Sequence, residues 1–154
     1  MKKQPNSRHC FVCGVDNLFG LKLKIYELEE GVVETFFTAP VHFQGYPGVL
    51  HGGIVASVLD EISGRALMGD ASSPRFMFTG KLEVKYRKNV PIGIPLRIVG
   101  KVIKSRGKVA EGWSGIYDED NVLLAEAKTL LIDVPDNLLE GTDNDKLGWK
   151  IYPD

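Results

Sequence analysis

Residues 46–68 read YPGVLHGGIVASVLDEISGRALM, and this stretch decides the fold. From Ile54 to about Met68 the apolar residues recur at spacings of three and four, the pattern of a helix with one apolar face. Gly69 follows as the residue that ends the helix. No other part of the chain shows this period over a comparable length. The sequence therefore predicts one long helix.

Alternation of apolar and polar residues, typical of half-buried strands, surrounds this helix on both sides. Gly, Asn and Asp separate the runs in short turns, so neighbouring strands are expected to be antiparallel. Six runs are expected as strands: 21–26, 33–37, 82–86, 96–103, 109–117 and 122–132. The economical arrangement is an α+β fold in which a long antiparallel sheet wraps around the single helix.

The chain has 154 residues and a mass of 17.0 kDa, close to the usual size of one domain. The polar, Gly- and Asn-containing residues 1–20 are interpreted as an N-terminal arm, and residues 21–134 as the domain. Residues 135–154 lack a sustained period and are interpreted as a C-terminal extension across the surface, held by Trp149.

Nineteen Lys and Arg face twenty Asp and Glu, a formal charge of −1, so the balance argues against a nucleic-acid partner. No apolar stretch follows the first residues as in a signal peptide, and none reaches the roughly 18 residues that cross a bilayer. The expectation is a cytoplasmic protein with no membrane partner.

The helix start carries the chemistry. Gly52 and Gly53 present backbone N–H groups at the positive end of the helix dipole, with no side chain in front of them. Asp60 follows two turns later. Amides that polarise a carbonyl oxygen, with a carboxylate in reach, are the equipment for acyl transfer. Glu61 competes for the acid role, but its rotation around the helix directs it toward Arg65, with which a surface ion pair is expected.

Two sets of residues extend this pattern. They are Pro47-Gly48, His51-Gly52-Gly53 and Asp60 nine residues after the histidine, and, near the N-terminus, Cys10-Phe-Val-Cys13-Gly14 with Asn17 and Gly20-Leu21. Together with the order of elements, they resemble the hotdog-fold acyl-CoA thioesterases of the phenylacetate-pathway type, over roughly residues 20–133. The N-terminal set resembles a signature found in a subset of that family.

The resemblance implies hydrolysis of an acyl-CoA thioester. This reaction transfers no electrons, so no redox cofactor is expected, and no metal is expected because the two cysteines lack a second spaced pair of ligands. The resemblance also implies that Asp60 is the general base or the nucleophile, that Gly53 together with Gly52 donates to the oxyanion, and that His51 positions the thioester. Many members carry an Asn shortly before the His-Gly-Gly to orient water, and Gln44 is the amide residue available here. The family forms dimers, often paired into tetramers, with the active site between protomers.

Substrate contacts are expected from two groups of residues. The cations Lys85, Arg87 and Lys88 are candidates for the phosphates of coenzyme A, against the alternative of a solvated strand face. The aromatic residues Tyr46, Phe76 and Phe78 are candidates for the acyl pocket, against the alternative of core packing.

Three other functions stay open at this point. A segment from His42 to Leu50 resembles the opening of the hydroxyacyl carrier-protein dehydratases, but Ala56 stands where that family has its acid. A non-catalytic acyl-CoA-binding protein is the second. The third is a zinc-dependent regulator built on Cys10 and Cys13, with His9 beside them; two reduced structural thiols without metal are favoured over it.

Overall fold

The computed structural model of the chain describes residues 1–69, 72–139 and 144–154. Strands in these ranges are β1 (Lys2–Lys3), β2 (Tyr26–Glu29), β3 (Val32–Thr38), β4 (Met77–Tyr86), β5 (Pro95–Arg106), β6 (Val109–Tyr117) and β7 (Leu123–Asp133). Helices are α1 (Gly52–Leu67) and the four-residue α2 (Asp136–Leu139) and α3 (Asn144–Leu147), with a 3-10 turn at Val41–Phe43.

All seven strands form one antiparallel sheet in the order β1-β2-β3-β5-β6-β7-β4. The 16-residue α1 packs against the sheet and supplies the centre of the core through Val55, Val58, Leu59 and Ile62, each at most 1% exposed. The expected α+β fold, a long antiparallel sheet around one long helix, is therefore confirmed.

Glycine and serine bring α1 unusually close to the sheet. A Cβ at Gly100 would overlap the carbonyl oxygen of Ile62, and one at Gly112 would lie 3.1 Å from the Ser63 carbonyl oxygen. Ser63 is fully buried and exchanges hydrogen bonds with Ser114 and Thr129 of the sheet. The small side chain of Ser63 therefore lets the helix approach the strands closely.

The first expected strand differs from prediction. Leu21, Leu23 and Ile25 are buried, as their alternation indicates, but the ladder begins only at Tyr26. Residues 21–25 instead bond to the N-terminal arm, with the Leu21 and Leu23 N–H groups donating to the carbonyls of Phe11 and Val12. The alternation in residues 21–25 correctly predicted which side chains are buried, but it did not predict that their backbone binds the N-terminal arm instead of a strand.

The two termini of the described chain pack together. Asn6 and Lys150 exchange two backbone hydrogen bonds, and Lys3 binds the Asp154 carboxylate. Trp149 contacts the guanidinium of Arg65, which lies 4.7 Å from its ring centre, and the ring of Phe76, the residue before β4. The expected holding role of Trp149 agrees with these contacts. None of the described helices is long and apolar enough to cross a membrane.

Candidate active site

A cavity of about 640 Å³ opens at the start of α1. It is bounded by the loop before the helix, by the first turn of the helix, and by the end of β4 with the residues after it. The lining residues are Gly45, Tyr46, Val49, Leu50, His51, Gly52, Val55, Tyr86, Arg87, Lys88, Asn89 and Val90. The helix N-terminus gives this cavity a positive potential at one wall.

The two glycine amides differ in what they contact. The Gly53 N–H donates to Nδ1 of His51, the residue that caps the helix, over 2.9 Å. The Gly52 N–H has no hydrogen-bond partner in the described part of the chain, and Gly52 lines the cavity. The expectation that Gly53 together with Gly52 donates to the oxyanion stays a prediction. In this structure the histidine cap occupies the Gly53 amide and leaves that of Gly52 facing the cavity.

Tyr86 fixes the first turn of the helix from the sheet side. Its hydroxyl donates to the Gly52 carbonyl over 2.7 Å, so the end of β4 holds the peptide group that follows the free amide. Residue His51 is exposed and lines the same cavity, with Nδ1 used by the cap. The sequence pattern did not single out Tyr86 as a site residue.

Gln44 does not line this cavity. Its Oε1 accepts the Gly48 N–H over 3.2 Å, which closes the turn before the helix. The water-orienting role expected for Gln44 stays a prediction, and in this structure its acceptor oxygen is used within the loop. Tyr46 does line the cavity, as expected for a pocket residue, and it is 84% exposed.

Two of the three expected phosphate-binding cations reach the cavity. Arg87 and Lys88 line it, whereas Lys85 does not and lies beside Glu126 in the neighbouring strand. The reason is strand alternation: Tyr86 points toward the helix, so the adjacent Lys85 points to the opposite face. Arg87 also forms an ion pair with Glu126, and this pair lowers the pKa of that carboxyl group.

The carboxylate of Asp60 lies farther along α1. It is partly buried and accepts a hydrogen bond of 2.7 Å from the hydroxyl of Thr79 in β4. Burial raises the pKa of Asp60, while the Thr79 hydrogen bond opposes that rise and the nearby Glu61 charge adds to it. The carboxylate is thus held in one orientation by a hydroxyl that the sequence reasoning missed.

A β-bulge explains how β4 contacts both Asp60 and Gly52 of the helix. The register of β4 against β7 shifts between Thr79 and Lys81. Thr79 before the bulge and Tyr86 after it consequently face the helix, although strict alternation would put them on opposite faces. A glycine inside a strand pattern is a known signal of a bulge, and Gly80 stands at this point.

The expected acyl-pocket roles of Phe76 and Phe78 are not met in this cavity. Phe76 stacks edge-to-face on Trp149 with ring centres 5.4 Å apart, and Phe78 is 54% exposed on β4. Neither lines the cavity at the helix start. Phe76 lies before the strand beside the C-terminal segment, and Phe78 is on the face opposite Thr79, which accounts for both positions.

The two reactive features are separated within one chain. Asp60 lies about 12 Å from Gly52 along the helix axis, since each helical residue rises about 1.5 Å. One carbonyl group cannot contact both. Within a single chain, the Gly52 donor lies at the start of α1 and the Asp60 carboxylate lies about two turns farther along it. Both contact the same strand, β4, through Tyr86 and Thr79.

Comparisons with known proteins identify the family of the chain. The family model described as the thioesterase superfamily matches residues 47–125. Acyl-coenzyme A thioesterase THEM4 is 31% identical over 67 residues in Rattus norvegicus, covering 44% of this chain and 27% of that protein. The Xenopus laevis form is 29% identical over 108 residues, covering 70% and 47%. The chain thus spans less than half the length of these relatives.

A third relative is 3-hydroxyacyl-(acyl-carrier-protein) dehydratase FabZ of Desulforamulus reducens, 32% identical over 122 residues and covering 70% of this chain and 81% of that protein. Among solved structures, a thioesterase superfamily protein has a TM-score of 0.74 at 27% identity, covering 81% of this chain and 63% of that one. A Streptococcus mutans protein bound to acetyl CoA has a TM-score of 0.66 at 20% identity, covering 73% and 88%.

Proposed function

Because the chain belongs to the thioesterase superfamily, we propose that it hydrolyses an acyl-CoA thioester to free CoA and a carboxylic acid. One observation carries the proposal: the Gly52 amide, at the wall of a cavity, has no partner among the described residues, while the Gly53 amide is capped. A thioester carbonyl oxygen placed against that amide gains a donor where negative charge develops.

Asp60 supplies the second half of the reaction. As general base it takes a proton from water, whose oxygen attacks the carbonyl carbon; as nucleophile it attacks that carbon itself. In either route the C–S bond breaks, the electron pair leaves with sulfur, and the CoA thiolate is then protonated. The nucleophile route leaves the acyl group on Asp60 as an anhydride, which a water molecule hydrolyses to release the carboxylic acid and regenerate the carboxylate. The hydrogen bond from Thr79 keeps one carboxylate oxygen fixed while the other faces the reacting atoms.

We propose that two chains complete the site. None of the ten residues of β4 is buried, although the strand carries Phe78 and Tyr86, each 54% exposed. The strand is the last in the sheet order, so its outer edge has no partner among the described strands. A twofold antiparallel pairing of two β4 edges places the Thr79 end of one chain beside the Tyr86 end of the other.

This pairing supports the chemistry. It brings Asp60 of one protomer toward Gly52 of its partner, the two groups that lie too far apart within one chain. The protein then works at least as a dimer, with two equivalent sites, and a dimer of dimers is compatible with the same contact.

We propose that the nucleotide portion of CoA binds at the cavity edge near Arg87 and Lys88. Lys88 has no ion-pair partner among the described residues, so its ammonium group is free for a phosphate. A structural relative that binds acetyl CoA is consistent with this ligand class. Tyr46, exposed at the cavity wall, is placed to contact the acyl or pantetheine portion.

Dehydration of a hydroxyacyl group is the rival suggested by the dehydratase relative. Against it, position 56 is an alanine, so α1 lacks the acid that this reaction pairs with a histidine, and His42 lies exposed on the 3-10 turn. A non-catalytic acyl-CoA-binding protein is the second rival. Asp60 distinguishes it from the enzyme, because binding alone needs no carboxylate held at the reacting atoms.

The test is turnover of a panel of acyl-CoAs, aliphatic and aromatic, by the wild-type protein and by Asp60→Asn. We expect kcat to fall by about a hundredfold or more, the usual size of a general-base contribution. Glu61→Gln is an unsuitable control because its carboxylate pairs with buried Arg65, so Asp118→Asn, in the β6–β7 turn, serves instead. Equal turnover by wild type and Asp60→Asn contradicts the role of Asp60. CoA binding with no turnover by either protein favours the binding module.

A further inference from the structure

The N-terminal cysteines meet a residue of the central helix. The sulfurs of Cys10 and Cys13 and a carboxylate oxygen of Glu61 all lie within 4.8 Å of one another. Cys10 Sγ is 4.0 Å from Glu61 Oε2. Glu61 is distant in sequence from both cysteines, and the helix brings it to the arm.

The loop is shaped so that its two sulfurs converge. The Gly14 N–H donates to the Cys10 carbonyl over 2.8 Å, and a Cβ at Gly14 would overlap that carbonyl oxygen, so glycine is required for the turn. The Val12 N–H donates to the Cys10 sulfur over 3.3 Å, and the Ser7 hydroxyl lies 3.5 Å from the Cys13 sulfur. The Val12 N–H therefore holds the Cys10 sulfur in place, as outer hydrogen bonds do for metal ligands.

Glu61 is oriented by a buried cation. Its Oε1 accepts from Arg65 Nε at 2.8 Å, which leaves Oε2 on the side of the sulfurs. The ion pair expected between Glu61 and Arg65 forms, but its expected place on the surface is wrong. Arg65 is 2% exposed, because the N-terminal arm and Trp149 cover it, and its Nη1 donates to the Pro5 carbonyl. The pair therefore fixes the carboxylate within the protein.

We propose that Cys10, Cys13 and Glu61 bind a zinc ion, with a fourth coordination position open to water. Thiolates and carboxylates are zinc ligands, and bonds of about 2.3 Å to sulfur and 2.0–2.2 Å to oxygen place tetrahedral ligand atoms about 3.5–3.8 Å apart. The observed 4.0 Å between Cys10 Sγ and Glu61 Oε2 needs only a small contraction. Soft thiolates select zinc over magnesium or calcium.

Charge balance is consistent with this ion. Zinc replaces the two thiol protons, which pass to solvent, and the net charge of the cluster is unchanged. Two thiolates and the Glu61 carboxylate are then balanced by zinc and the buried Arg65 guanidinium. The ion would link the N-terminal arm to α1 at Glu61, the residue that follows Asp60.

The experiment measures metal in the full-length protein, purified anaerobically with reductant and without added zinc. We expect about one equivalent of zinc per chain by elemental analysis, retained through gel filtration. After removal of zinc, Co²⁺ should give thiolate-to-metal charge-transfer absorption and the strong visible bands of tetrahedral coordination. Neither readout depends on thioesterase activity, so the test is separate from that of the proposed function.

Variants identify the ligands. Cys10→Ser, at a partly exposed position, and Cys13→Ser should abolish retained zinc, and Glu61→Gln should lower zinc affinity by at least about tenfold. His9→Ala is the matched control, since exposed His9 neighbours Cys10 but is outside the cluster, and it should keep its metal. If Glu61→Gln fails to fold because Arg65 loses its partner, Cys10→Ser still decides the matter.

Three results would overturn the proposal. The first is no retained zinc together with no cobalt charge-transfer band in protein whose two thiols are reduced. The second is loss of metal in His9→Ala with full retention in Glu61→Gln, which assigns a different ligand set. The third is an anaerobically purified protein with a Cys10–Cys13 disulfide and no metal, which identifies a redox pair.

Discussion

Replacing Gly52 by proline removes one hydrogen atom that the proposed mechanism needs while keeping the backbone that surrounds it. Gly52 is the first residue of α1, a position where proline is favoured because its amide has no helical partner and its φ is already helical. The preceding residue must be extended, and His51 is, with φ −57° and ψ 134°. A Cβ at position 52 lies 3.5 Å from the Tyr86 hydroxyl, an ordinary contact.

Gly52→Pro should therefore change catalytic activity much more than stability. Because the fold accommodates proline and the unfolded chain loses freedom, the free energy of unfolding should change by no more than about 1 kcal/mol. The loss of one oxyanion donor should lower kcat by about 100- to 1,000-fold, equivalent to about 2.7–4 kcal/mol in the transition state. The His51 cap on the Gly53 amide is unchanged in this variant.

Steady-state hydrolysis of an acyl-CoA, with urea unfolding on the same samples, measures both quantities. Gly52→Ala is the matched control: it adds the same Cβ and keeps the N–H, so its kcat should stay within a few-fold of wild type. A folded Gly52→Pro protein with the kcat of Gly52→Ala would refute the assignment of Gly52 as the donor.

Two further predictions concern the carboxylate and the helix contact. Thr79→Val removes the hydroxyl that fixes Asp60 and should lower kcat about tenfold, equal to about 1.4 kcal/mol. Thr79→Ser keeps a hydroxyl and should retain most activity. Equal rates for the two variants would contradict the role of the Thr79 hydroxyl in orienting Asp60. Gly100→Ala places a Cβ 2.7 Å from Ile62 Cγ2 and closer still to its carbonyl oxygen, so urea unfolding should show a loss of about 1–3 kcal/mol. Gly64→Ala, with open space around its Cβ, should be neutral or stabilise α1 by up to about 1 kcal/mol, and a similar loss in both would refute the packing argument.

Local patterns predicted most of the secondary structure because each depends on neighbours in sequence. The strand expected at 109–117 has those bounds as β6, and the apolar period located α1 to within two residues of its start. The period could not show that the helix begins at Gly52, because glycines carry no apolar signal and the cap depends on the His51 side chain.

Features that depend on residues distant in sequence could not be predicted from local patterns. The bulge at Thr79 changes which side chains of β4 face the helix, so the alternation from Leu82 to Tyr86, carried back across the bulge, would place Thr79 on the wrong face. The histidine cap decides which glycine amide is free, and the sequence reasoning weighted the other one. Likewise, Glu61 was expected on the surface because nothing local indicates that the two termini cover Arg65.

The central claim is that Gly52 of one chain and Asp60 of another serve the same substrate. Coexpression of Gly52→Pro and Asp60→Asn chains with different tags allows the mixed dimer to be isolated and assayed beside the two inactive parents. Since one of its two sites receives both intact residues, the mixed dimer should recover about half of the wild-type kcat per dimer. A mixed dimer as inactive as its parents would contradict the shared site.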